Sequence, residues 1–151
     1  MLNQKLAATG RLRVVLRDAQ GSIKRELVTR NLVVNTGLYH IADQLSDKGE
    51  AAMSHMAVGT GTTPPAAGDT QLGNQLEDRH AFTSKTQGSG SAANKVTYSA
   101  EWPAGHATGA ITEAAIFNSD SAGQMLCRAV FAVINKGAND TMTLNWELTI
   151  N

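Results

Sequence analysis

Between Thr141 and Ile150 apolar and polar residues alternate without a break, with Met142, Leu144, Trp146, Leu148 and Ile150 at every second position. Successive side chains of an extended strand point to opposite faces, so this run predicts a strand with one buried face. Residues 110–118 and 124–134 are rich in Ala, Val, Ile, Leu and Phe and are separated by turn-forming stretches at 119–123 and 135–140. The three runs together read as an antiparallel meander. Near the other end, Arg11-Leu12-Arg13-Val14-Val15-Leu16-Arg17 alternates imperfectly and then meets Asp18-Ala19-Gln20-Gly21. A second run over 23–34 completes an expected hairpin at about 11–34. The period then changes: Leu38, Ile41, Ala42 and Leu45 fall at i, i+3, i+4 and i+7, one stripe of a helix, with Asn35 or Thr36 to cap its start and Gly49 just past its end.

Residues 54–58 read as a short strand that runs into Gly59-Thr60-Gly61-Thr62-Thr63-Pro64-Pro65-Ala66-Ala67-Gly68-Asp69. Prolines and glycines at this density exclude regular structure. Asp69 or Thr70 can cap a short helical turn through Leu72 and Leu76, and strands are expected near 80–86 and 95–102, either side of Gly88-Ser89-Gly90-Ser91. About eight strands with regular turns predict a mainly β, antiparallel β-sandwich or jelly-roll-like domain with one short helix at an edge.

A chain of 151 residues suits one domain, 1–151, and buries about 70 % of its unfolded surface. Lys plus Arg balance Asp plus Glu at 13 each, so no net charge draws the chain to nucleic acid or to a membrane. There is no apolar run long enough to span a bilayer, and Met1-Leu2-Asn3-Gln4-Lys5 lacks the apolar stretch of a signal peptide. Neither nucleic acid nor membrane is expected as a partner, and folding is expected in a cytoplasm. The single cysteine, Cys127, forms no intrachain disulfide and sits in a strand-like run as a small buried hydrophobe.

Gly59-Thr60-Gly61 lacks the Lys and Ser/Thr that a phosphate loop needs, and prolines follow it. His40, His55, His80 and His106 stand alone, with no second His or Cys at ligand spacing, so neither metal nor cofactor is expected. Glu101 and Glu113 could face each other as a hydrolytic pair, but nothing fixes their separation. No Gly-x-Ser-x-Gly motif occurs, Cys127 has no activating neighbour in sequence, and no catalytic residue is expected. Trp146 lies on the apolar face of its strand and reads as core, whereas Trp102, before Pro103 at the end of a strand, is the better candidate for a ligand or partner contact, although core or subunit interface is the preferred reading there too.

Arg11, Arg13, Arg17, Lys24, Arg25 and Arg30 place six of the thirteen basic residues in the first hairpin, against Arg128 and Lys136 alone beyond residue 100. On a strand Arg11, Arg13 and Arg17 share a face, either a docking surface for an acidic partner or simply charge that keeps an edge soluble. The Pro64–Pro65 pair stiffens its loop and makes it a second candidate contact.

Several segments resemble a group of small tailed-phage structural proteins. They are Asn31-Leu32-Val33-Val34-Asn35-Thr36-Gly37-Leu38, Met56-Ala57-Val58-Gly59-Thr60-Gly61-Thr62-Thr63-Pro64, Asp69-Thr70-Gln71-Leu72-Gly73, Ala110-Ile111-Thr112-Glu113-Ala114-Ala115-Ile116-Phe117-Asn118 and Met125-Leu126-Cys127-Arg128-Ala129-Val130-Phe131. Ala115 departs from the group, which would carry Gly there. The resemblance implies a non-enzymatic virion component of the neck, collar or tail-fibre-associated kind. It would assemble with copies of itself as a trimer or ring and dock onto other virion proteins. The alternatives are a capsid decoration (cement) protein and, behind it, a carbohydrate-binding module or cryptic enzyme.

Overall fold

The computed structural model describes residues 7–151. Ten strands and one α-helix follow in the order β1 (Ala8–Arg17), β2 (Ile23–Arg30), β3 (Leu32–Val33), α1 (Asn35–Leu45), β4 (His55–Gly59), β5 (His80–Ala81), β6 (Ser84–Gln87), β7 (Lys95–Trp102), β8 (Gly109–Phe117), β9 (Met125–Lys136) and β10 (Thr141–Ile150). They form two five-stranded antiparallel sheets, β2-β1-β10-β7-β6 (sheet I) and β3-β9-β8-β4-β5 (sheet II). One core cluster draws on both sheets, with Leu12, Val14, Tyr98, Trp102, Leu144 and Trp146 from sheet I meeting Met56, Val58, Ile111, Ile116 and Leu126 from sheet II. The fold is a β-sandwich.

The alternation in β10 places it at the centre of sheet I. Trp146 lies opposite Leu12 on one side and Tyr98 on the other, and Leu144 opposite Val14 and Ala100. All of these are buried, so the apolar face forms continuous rows across three strands. The three C-terminal strands do not form one meander. β8 and β9 do pair, but β10 leaves their sheet and inserts between β1 and β7. Residues 135–140 reverse the chain between sheets, with the Asp140 carboxylate accepting from the Gly137 N–H (2.8 Å) and from Lys24 Nζ (2.8 Å).

The hairpin expected over 11–34 ends early for a related reason. β2 stops at Arg30, and after Asn31 the chain joins sheet II as β3, paired with β9. Asn31 Oδ1 marks the crossing, accepting from the Trp146 indole N–H at 3.0 Å. The expected strand at 80–86 is likewise split, β5 in sheet II and β6 in sheet I.

The helix falls where the period predicts, but its apolar stripe does not face the core. Gly37 and His40 are its buried residues, whereas Leu38, Tyr39 and Leu45 are 49 %, 60 % and 81 % exposed. Gly37 lies so close to the Leu126 carbonyl that any Cβ there would collide with it, which seats the helix flat on β9. His40 Nδ1 donates to Gln124 Oε1 at 2.8 Å, and Gln124 Nε2 donates to Asp43. Neither Asn35 nor Thr36 caps the helix; the N-cap position is Val34, and the Thr36 hydroxyl donates to the Met125 carbonyl instead.

Sheet II is covered on both faces. Its second face carries Ala57, Ala115, Phe117 and Met125, which pack with Val34 and Leu72. The cover is the long β4–β5 connection, and the expected helical turn after Asp69 is absent from it.

Candidate functional site

A charged cluster lies on that second face, where an apolar strand would otherwise be expected. The β8–β9 register shifts between Ile111 and Glu113. Across the shift the residues facing the central core pass from Ile111 to Ala114 and Ile116, which turns Glu113 to the opposite face. Arg128, opposite Ala115 on β9, shares that face one pair further along. Both side chains are buried, and Arg128 Nε and Nη2 donate to Glu113 Oε2 at 3.1 and 2.9 Å.

The β4–β5 connection folds over this pair and delivers its backbone N–H groups to it. Gly61 and Asn74 donate to Glu113 Oε1 at 2.9 and 2.7 Å, and Gly73 donates to Oε2 at 2.9 Å. Arg128 reaches the same loop from its other side, through Nη1 to Asp69 Oδ2 and Nη2 to the Thr63 carbonyl, each at 2.9 Å. Gly61 has to be glycine, since a Cβ there would lie 2.5 Å from Glu113 Oε1. Burial alone would push the Glu113 carboxyl up; the N–H groups of Asn74 and Gly73, Arg128 and the Gly61 N–H outweigh it and hold the group below the usual glutamate range. With all five donors occupied by one carboxylate, the cluster clamps a loop and presents no free nucleophile or base.

Glu113 is therefore not half of a carboxylate pair. Glu101 stands exposed on β7, in the other sheet. Cys127 is fully buried between the sheets and burial raises its thiol far above the range in which a thiolate forms.

Two histidines that are far apart in sequence do meet. His80, on β5, stacks on Trp102 with ring centroids 5.0 Å apart, and His106, in the β7–β8 connection, meets His80 edge-on at 5.3 Å. Glu77 Oε1 lies 3.3 Å from His80 Nε2 and 3.6 Å from His106 Nδ1. The separation of 26 positions carries no spacing signal, so only the fold brings these groups together.

The proposed contact residues are dispersed. Arg11, Arg13 and Arg17 are exposed on β1, as one face of a strand requires. β1 is an interior strand, however, and the sheet edge belongs to β2. Arg13 pairs with Glu26 at 2.6 Å, Arg17 donates to the Gly21 carbonyl, and Arg11 lies opposite Glu147. Of these three, Arg13 is charge-matched, while Glu147 is held by Lys95 at 3.1 Å. Pro64 is exposed and Pro65 half-buried, in a loop whose ends are fixed by the clamp. Trp102 offers nothing to a partner: it is 0 % exposed, and its open flank is taken by His80.

An apolar open surface lies elsewhere, beside α1. A cleft of about 560 Å³ runs between the helix and the end of the sandwich, lined by Ile41, Leu45, Met53, Leu126, Leu148 and Ile150 among others. Among the described residues no helix is long and apolar enough to cross a membrane. No family model, curated protein or solved structure matches the chain.

Proposed function

We propose that the chain is a structural subunit of a tailed-phage virion, of the neck, collar or tail-fibre-associated kind, that packs against copies of itself and docks onto other virion proteins. The observation that carries this reading is where the resembling segments fall. Residues 31–38, 56–64, 69–73, 110–118 and 125–131 converge on sheet II, the start of α1 and the clamped loop. In this chain those segments build a buttressed unit whose buried charges hold backbone, which suits a structural role.

Self-assembly in this reading uses the α1 face. Leu38, Tyr39 and Leu45 point outward beside an apolar cleft, a surface of the kind that subunit contacts cover. The basic residues of β1 and β2 then orient the subunit toward a second virion protein, where charge sets approach and register.

The test is reconstruction of intact particles from the phage that encodes this chain. The chain is expected at the neck or fibre attachment with copies in mutual contact. On the order of hundreds of copies on the shell lattice would reassign it to decoration, and absence from purified particles would overturn the reading altogether.

A further inference from the structure

We infer that Glu77, His80 and His106 bind one divalent transition-metal ion of the zinc type, through a Glu77 carboxylate oxygen, His80 Nε2 and His106 Nδ1, with one position left to water. Two imidazoles and a carboxylate are the donor set that suits such an ion, and three protein ligands with an open position make a complete arrangement for it. The three donor atoms all lie within 4.8 Å of one another. Metal–ligand bonds of about 2.0–2.1 Å give a tetrahedral edge of about 3.3 Å. The Glu77–His80 and Glu77–His106 separations, 3.3 and 3.6 Å, already match such an edge, and the two imidazole nitrogens, within 4.8 Å of each other, close onto the ion by a side-chain rotation of exposed His106.

The orientation of His80 is the second observation. Its Nδ1 lies 2.8 Å from the Glu101 carbonyl, which can only accept, so Nδ1 carries a proton, and the neutral tautomer then turns the Nε2 lone pair toward Glu77. A backbone carbonyl on the far nitrogen is how metal-binding histidines are commonly fixed. The ring is held further by stacking on buried Trp102. His106 Nδ1 lies 3.6 Å from the same carboxylate oxygen that faces His80.

The backbone on either side adopts a conformation that L residues seldom take, with φ of 57° at Glu77 and 49° at Ala107, next to His106. One neighbour opposes the ion: buried Lys136, which feels the charge of Glu77 and donates to the Pro103 carbonyl. The carboxylate ligand offsets that repulsion. The metal would tie β5, at the edge of sheet II, to the connection that carries the chain from sheet I back to sheet II.

Untagged protein stripped with chelator would be titrated with Zn²⁺ by calorimetry and with Co²⁺ by visible absorption, with thermal melting alongside. One ion per chain, Co²⁺ bands displaced by Zn²⁺, and a melting temperature that rises with Zn²⁺ are expected. Glu77→Gln and His106→Ala should each weaken binding by about tenfold or more. His106 is exposed, so His106→Ala should fold as the metal-free wild type does. His55→Ala, outside the cluster, should bind like wild type. The inference is overturned if no site with a dissociation constant below about 100 μM is found, or if Glu77→Gln and His106→Ala both retain wild-type affinity.

Discussion

Replacing Glu113 by Gln preserves the shape of the side chain while removing its charge and one of its two acceptor oxygens. In the native clamp Oε1 accepts from Gly61 and Asn74, and Oε2 accepts from Gly73 and twice from Arg128. A glutamine can keep its carbonyl at the first position. Its NH2 group then confronts the Gly73 N–H and the Arg128 guanidinium, donor against donor. One stranded buried N–H costs about 1–3 kcal/mol, and breaking a buried ion pair from one side costs about 3–5 kcal/mol. Arg128 keeps Asp69 and the Thr63 carbonyl, which argues for a total of about 3–5 kcal/mol rather than the full sum. That is a large share of a typical domain stability of about 5–15 kcal/mol. Urea titration at neutral pH should show a lower midpoint at unchanged slope, and amide exchange at Gly61, Gly73 and Asn74 should accelerate. The pH dependence follows with its sign. Glu113 is depressed in the folded protein below its ordinary value of 4.5. Its contribution is present above that value and is lost as pH falls through the folded one, so the gap between wild type and Glu113→Gln should narrow below about pH 4.5. A cost under about 1 kcal/mol with Gly61, Gly73 and Asn74 still protected would refute the clamp.

Gly61→Ala, which drives a Cβ to 2.5 Å from Glu113 Oε1, should cost about 1–3 kcal/mol by denaturant titration, and a neutral result would mean that the loop sits further from the carboxylate. Trp146→Ala should cost about 3–5 kcal/mol. Trp146→Phe keeps most of the packing but strands Asn31 Oδ1, at a cost of about 1–3 kcal/mol; equal losses for the two variants would deny the packing term. Reversing Arg11, Arg13 and Arg17 together to Glu should leave a folded protein by circular dichroism that no longer enters particles, and normal incorporation would reduce the basic face to a solubility device.

Alternation along β10 and β1 made the sandwich and its core readable, because a period of two with large apolar residues has one physical solution in a folded chain. What alternation cannot convey is which sheet a strand joins. The turn at 135–140 signals a reversal equally well for a hairpin and for a crossing between sheets, and β10 took the crossing. The α1 stripe misled because Gly37 and His40, neither of them large and apolar, decide which side of the helix can approach β9. The clamp left a signal that could have been read. Glu113 and Arg128 each interrupt a strongly apolar strand, and buried charges of opposite sign in such runs need one another. The Glu77–His80–His106 cluster left none, since its members come from two connections and a two-residue strand.

The central place of β10 bears on how the chain is made. Arg11 on β1 stands in register with Glu147 on β10, so β1 leaves the ribosome long before the strand that completes it. Until Thr141–Ile150 emerges, β1 and β7 each present a row of unpaired N–H and C=O groups, and the gap between them is open to any extended chain. Long-range closure of this kind is slow, and its waiting period is when a nascent chain is exposed to capture by its neighbours. On crowded polysomes the same gap in one nascent chain can accept the β10 of another, so strand exchange between copies is the misfolding route this topology exposes.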